Sequence, residues 1–261
     1  MALSGGGARG LAHVGVLEVL EELRIPVDYV AGTSMGAIVG GLYASGLSAA
    51  EIRQVLETMD WAAMAEDAQP RRDRTYRRKE DDQRYVMNLE VGLDGFVLPS
   101  GLRSGQRFTF ELRRQTWPVV DISNFAELPI PFKAVAVDLE TGERVLLERG
   151  NLAEAMRASM SLPGIFTPVE IGGRLLIDGG VVANLPIDVV REMGADIVIA
   201  VNIGDELVGR DQLGSMVAVT SQAMTISSAQ GIAPLLEQAD LVLTPSVAER
   251  GALDFTAIEE V

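Results

Sequence analysis

Two side chains stand where hydrolytic chemistry could be done. Ser34 lies in Gly32-Thr33-Ser34-Met35-Gly36, a G-x-S-x-G elbow directly after the apolar run Val27-Asp28-Tyr29-Val30-Ala31. A strand-to-helix turn sharp enough to push a serine hydroxyl into the open needs small neighbours, and Gly32 and Gly36 supply them by tolerating strained backbone angles. Asp178 ends a second apolar run, Leu175-Leu176-Ile177, and is followed by Gly179 and Gly180. A carboxylate there can face a ligand from a tight loop, although an isolated Asp-Gly is more often an ordinary turn. The third component is Gly5-Gly6-Gly7-Ala8-Arg9-Gly10, between a short strand and a helix. Glycine N–H groups at a helix N-terminus aim partial positive charge at a developing alkoxide, the work of an oxyanion hole. Arg9 either adds charge there or ties the loop down.

A nucleophile, a base and an anion-stabilising turn together make a serine acyl hydrolase. The histidine count makes it an unusual one. The chain contains a single histidine, His13, and it precedes the serine. A triad on such an elbow runs in the order Ser, Asp, His, an order that His13 does not fit, and the residue chemistry supports a Ser-Asp pair instead. His13 sits on a helix otherwise lined with Leu and Val and is expected to pack or to brace the loop. The glycine run also matches the dinucleotide fingerprint G-x-G-x-x-G. A dinucleotide site needs an acidic residue at the end of the second strand, and that place is taken by Ala31-Gly32-Thr33-Ser34.

Composition narrows the rest. At 261 residues, 48% of them hydrophobic, the chain can bury a sizeable core. No apolar run reaches the roughly 18 residues of a membrane span, and the start Ala2-Leu3-Ser4 lacks the basic and apolar regions of a signal peptide. Zero cysteines and one histidine exclude disulfides and thiolate metal sites and leave no ligand set for a catalytic zinc. No metal or other cofactor is expected. A formal charge of −15 argues against nucleic acid as a partner. One stretch runs the other way: Arg71, Arg72, Arg74, Arg77, Arg78, Lys79 and Arg84 stand against Asp73, Glu80, Asp81 and Asp82. Met59, Trp61 and Met64 on one side and Phe96, Val97 and Leu98 on the other bracket this stretch. Apolar clusters at such spacings are more often core, and a mixed charge run is more often a solvated loop; the alternative is an apolar rim, with Arg71, Arg72, Arg77 and Arg78 touching anionic lipid.

The elements that must position these residues alternate between strand and helix. Leu11, Val14, Val16, Leu17, Leu20 and Leu23 give helical spacing over 8–23, ended by Pro26. Residues 35–45 are small and apolar, a helix buried on nearly all sides and closed by Gly46. Ser48 with Glu51, and Asn151 with Glu154, open further helices as capping boxes. Short β-rich runs occupy 133–137, 145–147, 175–177, 197–201 and 241–243, and the run 197–201 shows no alternation, as in a strand covered on both faces. No linker or repeat divides the chain, and one α/β domain is expected over 1–261.

In this order, and together with Ser159-x-Ser161-x-Pro163, Phe166 and Pro168, the three motifs resemble the patatin-like phospholipases, a family of Ser-Asp dyad lipid acyl hydrolases. The resemblance runs from Leu3 to about Val201, and Asn184-Leu185-Pro186 is similar as well. It implies a three-layer α/β/α fold with a mostly parallel central sheet. Ser34 would be the nucleophile and Asp178 the base. Gly5, Gly6, Gly7, Arg9 and Gly10 would form the oxyanion hole, with Gly6 and Gly7 as donors. The implied substrate is phospholipid at a membrane surface. More narrowly, the sequence resembles the patatin passenger domain of type Vd autotransporter phospholipases, carried ahead of a POTRA domain and an outer-membrane β-barrel. That implies a domain excised from a longer chain, its first strand truncated, and secretion or display at the bacterial surface. A free-standing cytoplasmic patatin would share these motifs. A non-catalytic lipid-binding module, a general serine esterase and a peptidase stay open as alternatives, as does the oligomeric state, a homodimer included.

Overall fold

The structure, a computed structural model, describes residues 1–61, 90–92, 95–97, 104–203, 207–214 and 216–247. In chain order its elements are β1 (Ala2–Leu3), α1 (Ala12–Glu22), β2 (Val30–Thr33), α2 (Met35–Ala44), α3 (Ala49–Thr58), β3 (Glu90–Gly92) and β4 (Gly95–Val97). Then follow α4 (Gln106–Gln115), β5 (Phe132–Asp138), β6 (Arg144–Leu147), α5 (Leu152–Ser159), β7 (Val169–Ile171), β8 (Arg174–Asp178), α6 (Ile187–Glu192), β9 (Ile199–Val201), α7 (Met216–Leu236) and β10 (Leu241–Leu243). Eight strands share one sheet, ordered β10-β9-β1-β2-β5-β8-β7 with β6 also on β5, while β3 and β4 form a separate hairpin. The half from β10 to β5 is parallel and the half beyond it antiparallel.

Neighbouring residues in the central strands point to opposite faces, and the two faces are built from different side chains. Leu3, Val30 and Val201 join a large core with α1 to α5. Ala2, Ala31 and Ala200, in register across the sheet, pack against Leu185, Ile187 and Val190 of the opposite layer. The sheet is therefore the middle of three layers. The row of alanines leaves room for α6 to lie close.

Local signals are met with some adjustment. Ser48 and Glu51 close a full capping box. Asn151 accepts the Glu154 N–H at 3.1 Å, but the Glu154 carboxylate turns to Arg113 on α4 instead of completing the box. Between the glycine turn and α1 the chain makes a 3-10 turn over Gly7–Leu11, so the α-helix starts at Ala12 rather than Ala8. It stops at Glu22, before Pro26, and Arg24 takes left-handed angles (φ 54°). Of the run 197–201 only Ile199–Val201 is strand, and Ile197, outside the ladder, is 71% exposed.

Ala31→Leu should crowd the gap between the sheet and α6, and overpacking of this kind costs about 1–3 kcal/mol. Denaturant unfolding should show that loss at an unchanged slope. Wild-type stability in the variant would contradict the alanine-row account.

Candidate active site

The position of Ser34 follows from one strand edge. β6 occupies one edge of β5 along Ala134–Val137, so β2 and β8 must share the other edge. β2 reaches Val135 through Thr33, running parallel, and β8 reaches Ala136 through Asp178, running antiparallel. The two strands meet end to end, and each must leave the edge abruptly. β2 does so at Ser34, whose φ of 54° and ψ of −122° are strained for a residue with a side chain. The strain lies on the serine, not on the flanking glycines, whose part is clearance. A Cβ on Gly32 would stand 2.3 Å from the Gly36 carbonyl oxygen, and one on Gly36 2.5 Å from the carbonyl oxygens of Leu3 and Ser4.

β8 leaves the edge through Gly179, where a Cβ would lie 2.4 Å from the Val135 carbonyl oxygen. The result is an Asp-Gly turn in which Asp178 Oδ1 accepts the Gly180 N–H at 2.7 Å. The other carboxylate oxygen is left for chemistry, and Ser34 Oγ donates to Asp178 Oδ2 at 2.7 Å. Asp178 is 2% exposed. Burial raises its pKa to about 6, against the opposing pull of the hydrogen bonds from Ser34 and Gly180.

The glycine turn passes directly beside the elbow. A Cβ on Gly5 would touch Ser34 Cβ at 2.9 Å, and one on Gly10 would sit 2.5 Å from Met35 Cγ. The Gly5 N–H is committed to Asn184, through its side-chain oxygen at 3.0 Å and its carbonyl at 3.3 Å. Gly5 therefore drops out as an oxyanion donor, and its role is close approach. Gly6 and Gly7 open the 3-10 turn, and their N–H groups have no acceptor among the described residues. Gly10 provides clearance, and Arg9 is buried in the same turn.

His13 is fully buried and holds the Ser4 carbonyl oxygen through Nε2 at 2.7 Å. Burial lowers its pKa to about 4, so the ring is neutral at pH 7 and Nε2 carries the proton. It braces the strand end that leads into the glycine turn. Of the residues expected to rim a lipid cleft, Met59 is core and Trp61 packs on Phe108 with ring centroids 6.1 Å apart. Arg71, Arg72, Arg77, Arg78, Met64 and Leu98 lie outside the described residues, as do the side chains of Phe96 and Val97.

Three side chains escaped notice as site residues. Ser159 Oγ accepts the Ser34 N–H at 2.9 Å. Asn184, six residues beyond Asp178, accepts the Gly5 N–H through its side-chain oxygen. Arg157, also buried, donates to Ser161 Oγ at 2.7 Å and to the carbonyls of Ser104 and Thr167, with its guanidinium 4.6 Å above the Phe166 ring. Ser159 and Asn184 belong to motif segments and Arg157 lies two residues before one, but none of these side chains gives a sequence signal of its partner.

Residues 1–191 match the family model described as patatin-like phospholipase. The chain belongs to that family. It is 34% identical over 242 residues to an uncharacterized NTE family protein of Mycobacterium bovis, covering 89% of this chain and 59% of that protein. It is 34% identical over 208 residues to patatin-like phospholipase domain-containing protein 6 of Homo sapiens, covering 79% of this chain and 13% of the other. With lysophospholipase NTE1 of Debaryomyces hansenii it shares 30% over 204 residues, 78% of this patatin-like chain and 12% of the relative. The chain thus spans between about an eighth and three fifths of these relatives. No helix among the described residues is long and apolar enough to cross a membrane.

Two outcomes follow from the buried ionisable groups. The Asp178 pKa rises on folding from 3.8 to about 6, so its contribution to stability is present below pH 4 and is lost as pH climbs through 6. Asp178→Asn should therefore gain on wild type in melting temperature between pH 4 and pH 7; a pH-independent difference would count against the buried charge. His13→Gln should cost about 1–2 kcal/mol through its lost bond and packing. Ester turnover per folded molecule should stay within a few-fold of wild type, and a loss of about 10²-fold or more, typical of a missing general base, would make the histidine catalytic.

Proposed function

We propose that this chain hydrolyses carboxylic ester bonds of phospholipids with Ser34 as nucleophile and Asp178 as general base. The observation that carries the proposal is the 2.7 Å hydrogen bond from Ser34 Oγ to a buried carboxylate whose pKa is raised to about 6. Ser34 Oγ attacks the ester carbonyl while Asp178 Oδ2 takes its proton. The same proton then goes to the leaving alcohol, which departs and leaves an acyl-serine. Water, deprotonated in turn by Asp178, adds to the acyl carbon; the bond to Ser34 Oγ then breaks, Asp178 returns the proton to Oγ, and the fatty acid leaves.

An ordinary carboxylate is a weak base towards a serine hydroxyl. Two features of this site narrow the gap. Desolvation brings the Asp178 pKa close to neutral while leaving the group ionised at pH 7. Ser34 also stands at the N-terminus of α2, where the helix dipole favours alkoxide character by about 0.3–1 kcal/mol, more in buried geometry. The N–H groups of Gly6 and Gly7 are the proposed oxyanion donors. His13 takes no part, since its Nε2 is spent on the Ser4 carbonyl and burial lowers its pKa to about 4, which makes it a poor base.

The substrate class rests on the family and on the phospholipase and lysophospholipase names of the relatives. A general esterase or peptidase would use the same machinery. A place at the bacterial surface as an exported passenger is a finer proposal, supported only by the motif resemblance. The relatives compared above carry NTE-family and patatin-like names instead.

Incubation with a phospholipid, a p-nitrophenyl ester and a casein digest separates these substrate classes, and the phospholipid is expected to be cleaved and the casein left intact. Ser34→Ala and Asp178→Asn should each abolish ester hydrolysis, and the double variant should be no worse, because the pair acts as a unit. Wild-type kcat/KM should rise with pH through an inflection near 6, as Asp178 loses its proton. Substantial turnover by Ser34→Ala would end the nucleophile assignment.

A further inference from the structure

One short segment touches the backbone of both members of the pair. Ser159, the last residue of α5, is fully buried. Its hydroxyl accepts the Ser34 N–H at 2.9 Å and donates its own proton to the Val135 carbonyl oxygen at 2.6 Å. Two residues on, the Ser161 carbonyl oxygen accepts the Asp178 N–H at 3.0 Å. Val135 and Ala136 are the positions on β5 where β2 and β8 meet end to end. The segment therefore fills the break between the two strands, where neither can extend the other's ladder.

We propose that Ser159 is a positioning residue for the reaction: its hydroxyl fixes the strained backbone of Ser34, and hence the direction of Ser34 Oγ, relative to β5 and Asp178. Ser34 sits at φ 54°, a conformation its own sequence does not favour, so something must over-determine it. Clearance from Gly32 and Gly36 permits the conformation without selecting it. The Ser159 hydroxyl selects it, because only with the N–H turned towards α5 is this buried donor satisfied. Two residues along the chain, the Ser161 carbonyl holds the Asp178 N–H. Ser161 is in turn held by its own hydroxyl, which donates to the Arg157 carbonyl at 3.0 Å and accepts from the Arg157 guanidinium at 2.7 Å. Because Ser159 acts on the direction of Ser34 Oγ, its loss should lower the rate and, by weakening the hydrogen bond that helps to hold Asp178 ionised, can move that ionisation only upward.

The proposal rests on the Ser34-Asp178 assignment, and wild type with Ser34→Ala as blank tests that assignment in the same experiment. Wild-type activity equal to the blank would fault the pair itself. Given an active wild type, Ser159→Ala should lower kcat and the rate of fluorophosphonate labelling of Ser34 by about 10- to 100-fold, the scale of a small misplacement of a reacting atom. KM should stay within about two-fold, and the pH inflection should lie at 6 or somewhat above it. Ser159→Thr, which keeps the hydroxyl, should recover most of the loss. Ser159→Cys, nearly isosteric with a weaker hydrogen bond, should fall between and gives the reading if the alanine variant does not fold. Unchanged kcat per folded molecule in Ser159→Ala, or in Ser159→Cys where alanine fails, would overturn the proposal. So would a rate loss accompanied by a fall of the inflection towards an ordinary carboxylate value, since that would mark a generally loosened pocket.

Discussion

The end-to-end meeting of β2 and β8 on one edge of β5 is the constraint from which the site follows. Two strands cannot occupy the same stretch of edge, so both must stop within one residue of each other at Val135 and Ala136. Each stops by a sharp departure, one with a strained serine and the other with an aspartate followed by glycine. The Ser34 hydroxyl and the Asp178 carboxylate are thereby brought to 2.7 Å, with the serine 9% exposed and the aspartate 2%. The raised Asp178 pKa is a consequence of the same enclosure. The sheet itself brings the two groups together.

Close approach is the second theme. The turn after β1, the elbow after β2 and the turn after β8 lie within contact of one another, and the glycines at 5, 10, 32, 36 and 179 occupy points where a Cβ would collide with a neighbour. Polar atoms stitch these turns together: Asn184 to Gly5, Thr33 to the Ala183 carbonyl at 3.0 Å, His13 to Ser4, and Ser4 Oγ to the Ile203 N–H at 2.8 Å. Buried polar groups left without such partners cost about 1–3 kcal/mol each, which explains why small hydroxyls and amides crowd this end of the sheet.

Features governed by neighbours in sequence were legible in advance. The α2 helix, the Ser48 cap, and the strands near 133–137, 145–147, 175–177 and 241–243 all appear at or within a residue or two of the places the pattern predicts. The elbow serine and the Asp-Gly-Gly aspartate were legible because their turns have strict local chemistry. Long-range register was not. Nothing in residues 30–34 says that β8 will arrive from the opposite direction on the same edge, and nothing in Ser159 says that it will meet Ser34. Likewise the run of glycines could not disclose that the Gly5 N–H is consumed by Asn184, a residue 179 positions away. His13 was legible from its apolar helix, since a lone histidine among Leu and Val is most cheaply accommodated neutral and bonded to a carbonyl.

The central claim is that a buried aspartate, poised near neutrality and bonded to the serine, takes the place of a histidine. Isotope-edited infrared titration of the Asp178 carboxyl tests it most directly. In the native protein the carboxyl should titrate near 6, and in Ser34→Ala higher still, because the serine hydroxyl stabilises the charged form. A titration near 3.8, unchanged by loss of the serine hydroxyl, would show an ordinary solvated carboxylate that is not bonded to Ser34 and would contradict the account.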